Sequence, residues 1–193
     1  MTTRTALIAD AAWPLSTSGT LFRSGVLALA GSLLLAICAQ VQVPMWPVPM
    51  TMQTFAVLLI GLAYGPRLGA ATVALYLAEG AIGLPVFAGL AGGAHHLIGV
   101  TGGYLFGFVV AAGVVGLLAE RGWSHSMLAT ALAMIIGSAI IYLLGVGWLA
   151  SFLGLDQAIK LGMLPFLAGD AVKAALAALA LPVAWRCLGR GTL

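Results

Sequence analysis

The sequence predicts an all-α integral membrane protein: a bundle of six transmembrane helices, roofed on its outward side by apolar loops over a ligand pocket. Three observations carry that expectation. Of 193 residues, 62% are hydrophobic and only 7% charged, with a mean hydropathy of +1.13, whereas a soluble domain carries roughly 25% charged residues. The apolar residues gather into six segments. The basic residues fall almost entirely on alternate connections between them.

The first segment runs from about Gly25 to Val43. Arg23 and "AICAQ" give it the look of a signal peptide, but the rest of the chain is equally apolar, so it reads as a transmembrane helix. The second (Met52–Tyr64) and third (Leu68–Leu84) are short and are joined by "YGPR", whose Gly65-Pro66 pair is a strong turn signal. The fourth runs near Gly102–Ala119, the fifth near Met127–Leu153 and the sixth near Leu164–Arg186. At a rise of 1.5 Å, about 20 residues cross the hydrocarbon core. The last two exceed that length, and the first and fourth nearly reach it. The expected division is a cytoplasmic segment 1–24, a six-helix membrane domain 25–187 and a cytoplasmic tail 188–193.

Numbering the connections alternately places Arg4, Arg23, Arg67, Arg121, Arg186 and Arg190 on one side and only Lys160 on the other. Positively charged loops face the cytoplasm, so both termini are expected there, in a multi-pass protein of the bacterial cytoplasmic membrane. The scattered basic residues form no cluster, which argues against nucleic acid. Cys38 and Cys187 stand far apart in apolar segments, without metal-like spacing.

The expected outer loops are "QVPMWPVPMT" (Gln42–Thr51), "GLPVFAGLAGGAHHLIGVTGG" (Gly83–Gly103) and "FLGLDQAIKLGMLP" (Phe152–Pro165). The first two carry no Asp, Glu, Lys or Arg, and all three are rich in Pro, Gly, Met or aromatics. Irregular backbone at membrane depth is tolerated where protein buries it or where it lines a cavity. The loops therefore read as a lid.

Charge points to what lies beneath. Glu79, Asp170 and Lys173 fall within apolar segments, where an ionisable residue costs about 2.5–3.5 kcal/mol on insertion scales. Asp170 and Lys173 are three apart, so a helix puts them on one face. They serve either as a mutually neutralising anchor, as groups reaching the interface, or as the polar floor of a cavity. Glu79 reads equally as site rim and as headgroup contact. His95 and His96 would diverge on a helix and have no Cys, Asp or Glu within ten residues, which argues against a metal. Met45, Met50, Met52 and Trp46 suit a ligand wall or an interfacial belt. Gln53 and Thr54 could bond a ligand or another helix.

No G-x-x-x-x-G-K-[ST], G-x-S-x-G or H-E-x-x-H occurs, and no internal repeat is apparent. An apolar chain with a candidate ligand site and no motif for an engine implies an engine on another chain.

Four stretches then resemble the BioY family: "AQVQVPMWPVPMTMQTFAVLLIGLAYGPRLGA", "GLPVFAG", "GVTGGYLFGF" and "GDAVKAALA", in order from Gly25 to Ala180. One position departs, Val100 standing where the family commonly has proline. The resemblance implies the biotin-specific substrate-binding (S) component of an energy-coupling factor (ECF) transporter. It implies no enzymatic activity and no cofactor, with biotin as ligand. Partners would be a transmembrane coupling protein, cytoplasmic ATPase subunits and membrane lipids, with a homo-oligomer as a further option.

By the same resemblance, Asp170 and Lys173 would contact the ligand, and the loop Phe87–Gly93, with Gly92 and Gly93, would join the turn Thr101–Tyr104, with Gly102, in the pocket wall. Gln53 and Glu79 complete the candidate ligand set. A carboxylate suits biotin's two ureido N–H groups, and Lys173 would donate either to the ureido carbonyl or to the valerate carboxylate. In "GVLALAGSLLLAICAQ", Ala28, Ser32 and Ala36 recur every four residues, a small-residue stripe on which a helix backbone can approach closely. That stripe would dock the coupling protein or pack within the chain. Two alternative functions are an S component for a different vitamin and an intramembrane lipid-modifying enzyme.

Overall fold

The computed structural model describes residues 7–13 and 19–188. Of the expected terminal segments, 1–6, 14–18 and 189–193, which include the Arg4 and Arg190 used above to orient the chain, lie outside the described residues. Within them the chain order is α1 (Ile8–Ala12), α2 (Thr20–Gln40), β1 (Gln42–Val43), β2 (Met50–Thr51), α3 (Gln53–Ala81), α4 (His95–Ile98), α5 (Gly102–Glu120), α6 (Met127–Leu153), α7 (Leu155–Gly162) and α8 (Leu167–Cys187). Five of the helical stretches are long and apolar enough to cross a membrane.

The sixth expected helix lies inside α3. Gly65 has φ +80° and ψ −179°, a conformation that only glycine adopts readily. Pro66 follows, with no N–H to continue the ladder. A Cβ added to Gly69 would stand 3.1 Å from the Cα of Gly61. Eight residues of straight helix would separate those positions by about 12 Å. The two arms of α3 therefore fold back as a hairpin, as the "YGPR" turn predicts.

Packing follows side-chain size. α5 lies between the α3 hairpin and α6 and buries Ala111, Ala112, Val115 and Ala119 completely. Its small residues let backbones meet: a Cβ on Gly61 would stand 2.7 Å from the Ala112 carbonyl oxygen, and one on Gly107 would stand 3.2 Å from the Ile141 Cα. α2 is an edge helix. It buries Ser32, Leu35 and Ala39 and turns Leu21, Leu29, Leu33 and Ile37 outward, as a helix facing lipid must.

Two boundaries differ from expectation. α2 starts at Thr20 rather than Gly25, and the preceding segment is partly built into the bundle. α1 packs on α3, the Leu7 side chain lies 2.6 Å from where a Gly65 Cβ would stand, and buried Arg23 pairs with Asp10 at 2.8 Å. The expected sixth segment resolves into a short 3₁₀ turn at Leu164–Phe166 followed by α8.

The loops expected on the outer side are ordered by their own bonds. β1 and β2 pair antiparallel, Gln42 opposite Thr51 and Val43 opposite Met50. In the second loop Phe87 N–H bonds to the Ala91 carbonyl at 2.9 Å, and Gly93 N–H to the Gly80 carbonyl at 2.7 Å. Gln40, at the end of α2, clamps that loop: its Nε2 donates to the Phe87 carbonyl and its Oε1 accepts from Leu90 N–H, both at 3.0 Å.

Candidate functional site

The site is built around the charges of α8. Asp170 and Lys173 share one helix face, with side chains only 12% and 8% exposed, and pair at 3.1 Å. An ammonium has three N–H donors, and Lys173 spends all three: on Asp170 Oδ1, on the Thr51 carbonyl at 2.8 Å and on Thr54 Oγ1 at 2.8 Å. The cation thereby ties α8 to β2 and to the start of α3.

Asp170 is held from three directions. Besides Lys173, its Oδ1 accepts a 3.4 Å bond from the Thr54 hydroxyl, and its Oδ2 accepts from the Tyr142 hydroxyl on α6. A carboxylate offers roughly four lone-pair positions. These contacts occupy three, so Asp170 keeps acceptor capacity while its charge stays paired. Removing one partner of a buried pair costs about 3–5 kcal/mol because an uncompensated charge remains. The arrangement is thus rigid and still able to take an N–H donor.

Above this floor is a cavity of about 370 Å³, within the range of small-molecule sites. Pro47, Val48 and Pro49 of the β1–β2 loop wall one side. Phe87, Ala88, His95 and His96 wall another, with Leu105, Phe108 and Ile141 supplying the apolar interior. The apolar loops expected on the outer side lie over a polar-floored chamber.

Of the expected ligand residues, Asp170, Lys173, Gln53, Phe87, Thr101 and Tyr104 line this cavity. Two of them are held by other bonds. Gln53 Nε2 donates to Tyr76 Oη at 2.6 Å, and the Tyr76 hydroxyl donates to the Val86 carbonyl at 2.9 Å, joining the two α3 arms to the lid. Tyr104 donates to the Gly162 carbonyl at 2.8 Å, joining α5 to α7.

The other expected residues stand elsewhere. Glu79 is off the cavity and accepts a 3.0 Å bond from Ser32 Oγ. Gly92, Gly93 and Gly102 are not in the cavity wall. Gly92 packs on the 83–84 backbone, a Cβ there standing 2.9 Å from the Gly83 carbonyl oxygen, and Gly93 has φ +106°, so their roles are in the lid's backbone. In the stripe of Ala28, Ser32 and Ala36, Ser32 is buried against α3 and the two alanines are half-buried. The face that α2 buries against the α3 hairpin is that of Gly31, Ser32, Leu35 and Ala39, so Ser32 turns inward while Ala28 and Ala36 lie at the edge of that face.

Sequence reasoning missed Tyr142. It sits 28 positions from Asp170 in the apolar run "IIYLLG", and only its polarity in that run could have marked it. His95 and His96, set aside as metal ligands, both line the cavity. Burial, and then the neighbouring His95 ring, hold His96 below the usual histidine range. It is therefore a neutral N–H donor near pH 7.

A polytopic membrane bundle with an apolar, lidded cavity over a buried ion pair defines a small-molecule-binding membrane protein. The BioY family profile matches residues 9–190, and the chain belongs to the BioY family. Among similar proteins, the probable biotin transporter BioY of Pyrococcus horikoshii is 44% identical over 75% of this chain and 85% of its own length. The biotin transporter BioY of Thermotoga maritima is 45% identical over 76% and 86%. A crystal structure of the S-component for biotin from an ECF-type ABC transporter superposes with a TM-score of 0.74, covering 88% of this chain and 94% of that one at 22% identity. At that identity the likeness establishes the fold.

Proposed function

We propose that this chain captures biotin from outside the cell as the substrate-specific S component of an ECF-type transporter. It spans the bacterial cytoplasmic membrane with residues 20–187, both termini in the cytoplasm. The observation that carries the reading is the floor of the cavity: a buried, charge-paired carboxylate with acceptor capacity to spare beneath apolar walls. Biotin presents two ureido N–H donors on an apolar bicycle, and a charge-assisted bond to Asp170 is roughly twice as strong as a neutral one. The names of the relatives and of the solved structure support the same ligand. Asp170, Gln53, Phe87, Thr101 and Tyr104 form the wall that biotin meets, and Lys173 holds Asp170 in place through the ion pair.

Uptake then requires energy from other chains, since no phosphate-cradling motif occurs in this one. A transmembrane coupling protein and cytoplasmic ATPases supply it. The test is equilibrium binding of labelled biotin to the purified chain in detergent. Saturable binding displaced by unlabelled biotin and not by other vitamins is expected, with Asp170→Asn weakening it by roughly thirtyfold to several thousandfold, the 2–5 kcal/mol of a broken buried charge pair. Displacement by a different vitamin at lower concentration would sink the reading.

A further inference from the structure

The cavity's hydrogen-bond donors are almost all spent at its buried end. Lys173 has committed its three N–H groups, Tyr142 its hydroxyl to Asp170, and Tyr104 its hydroxyl to Gly162. The Thr51 and Thr54 hydroxyls donate to Gln53 and Asp170. Gln53 is buried and engaged with Tyr76 and Thr51. Apart from the second Nε2 N–H of Gln53, the unspent side-chain donors lie on the lid: the imidazoles of His95 and His96 and the hydroxyl of Thr101, which makes no cap bond to α5. Among the described residues no hydrogen bond or ion pair engages either imidazole; their contacts are ring contacts.

Exposure orders the two ends. Lys173 is 6% exposed and the Asp170 side chain 12%, whereas His95 is exposed and His96 half-buried. The ion pair is therefore the floor and the histidines are at the mouth. Their rings lie 4.1 Å apart, and Phe87 packs edge-on against His96 at 5.9 Å, fixing one ring against the lid that Gln40 clamps. Each imidazole offers at least one N–H. A ligand carboxylate sent to the floor would meet Asp170, a like charge, and would need Lys173 to release an existing bond. At the mouth it meets unspent donors.

We propose that His95 and His96, with Thr101, form an anion subsite at the cavity mouth that receives the ligand's carboxylate, so that biotin binds ureido ring inward and valerate outward. The assignment rests on the biotin-capture reading. It makes Lys173 a positioning residue for Asp170 and leaves the carboxylate to the lid.

The test compares biotin with biotin methyl ester, which keeps the ureido ring and loses the anion, on the full chain in detergent. The wild type should prefer biotin by roughly tenfold to a hundredfold, the worth of one hydrogen bond to a charged group. His95→Ala/His96→Ala should erase that preference, the loss falling on biotin rather than on the ester, with an unshifted thermal transition in detergent reporting that the fold is intact. His95→Gln/His96→Gln, which restores N–H donors, should recover part of it. An unchanged preference in the Ala variant, or equal loss of both ligands, overturns the subsite while leaving biotin capture standing. Failure of the wild type to bind either ligand overturns both.

Discussion

At the scale of single residues, the ion pair of α8 is a fixture whose members differ in what they do. Lys173 has no donor left to offer, so its removal strands the Thr51 carbonyl, Thr54 and the Asp170 charge together. Lys173→Ala should lower stability by about 3–5 kcal/mol, seen as an earlier thermal transition in detergent. Replacing both charges with apolar residues of similar volume is often neutral, so Lys173→Met/Asp170→Leu should regain stability without regaining ligand binding. An unshifted transition in the single variant would show that the pair is not holding the floor together. Tyr142→Phe isolates one bond. It should weaken ligand binding by roughly tenfold, as expected for loss of a hydrogen bond to a charged group, while the Phe ring keeps the wall closed.

At the scale of elements, two glycine and serine positions decide how helices meet. Gly65 reverses α3 in a conformation that burdens any side chain by about 1–3 kcal/mol, and the Leu7 side chain fills the space where a Cβ would stand. Gly65→Ala should therefore destabilise by at least that amount. Gly147→Ala, where a Cβ meets none of the described residues within 4 Å, should be near neutral; equal effects would contradict the hairpin. On α2, Ser32 is 3% exposed and Leu33 61%. Ser32→Trp should cut expression and biotin binding together, whereas Leu33→Ala should leave both intact. Normal biotin binding with lost partner association in Ser32→Trp would instead return the stripe to an outside helix.

At the scale of the whole molecule, the proposed orientation makes the two ends of the bundle chemically distinct. Arg121, after α5, and Lys160, on α7, should lie on opposite sides of the membrane. In a background lacking Cys38 and Cys187, a cysteine beside Lys160 should react with an impermeant thiol reagent added to intact cells. One beside Arg121 should react only after permeabilisation. Labelling of both from outside would break the proposed topology. The same orientation opens the cavity mouth outward, because α7 and the β1–β2 and 83–101 loops share that end, and leaves the Gly65 turn with α1 on the cytoplasmic side.

The sequence by itself determined the membrane character, the six helical segments, the hairpin turn and the identity of the floor. These are local or compositional: hydropathy counts residues, Gly65-Pro66 stops a helix wherever it stands, and a charge in an apolar run marks itself. It also marked Gln53 by its polarity, and Phe87, Thr101 and Tyr104 through the resemblance. What only the tertiary structure decided is which groups face one another. Tyr142 meets Asp170 and Glu79 meets Ser32 across 28 and 47 positions, pairings that depend on helix rotation, which a uniformly apolar helix does not encode in its own pattern. The stripe on α2 could serve an inside or an outside partner on sequence grounds; packing on α3 turns Ser32 inward and leaves Ala28 and Ala36 half-buried. His95 and His96 read as divergent neighbours on a helix. They share one cavity because α4 is a four-residue turn inside a clamped loop, where side-chain direction follows the loop's long-range bonds and not a helical period.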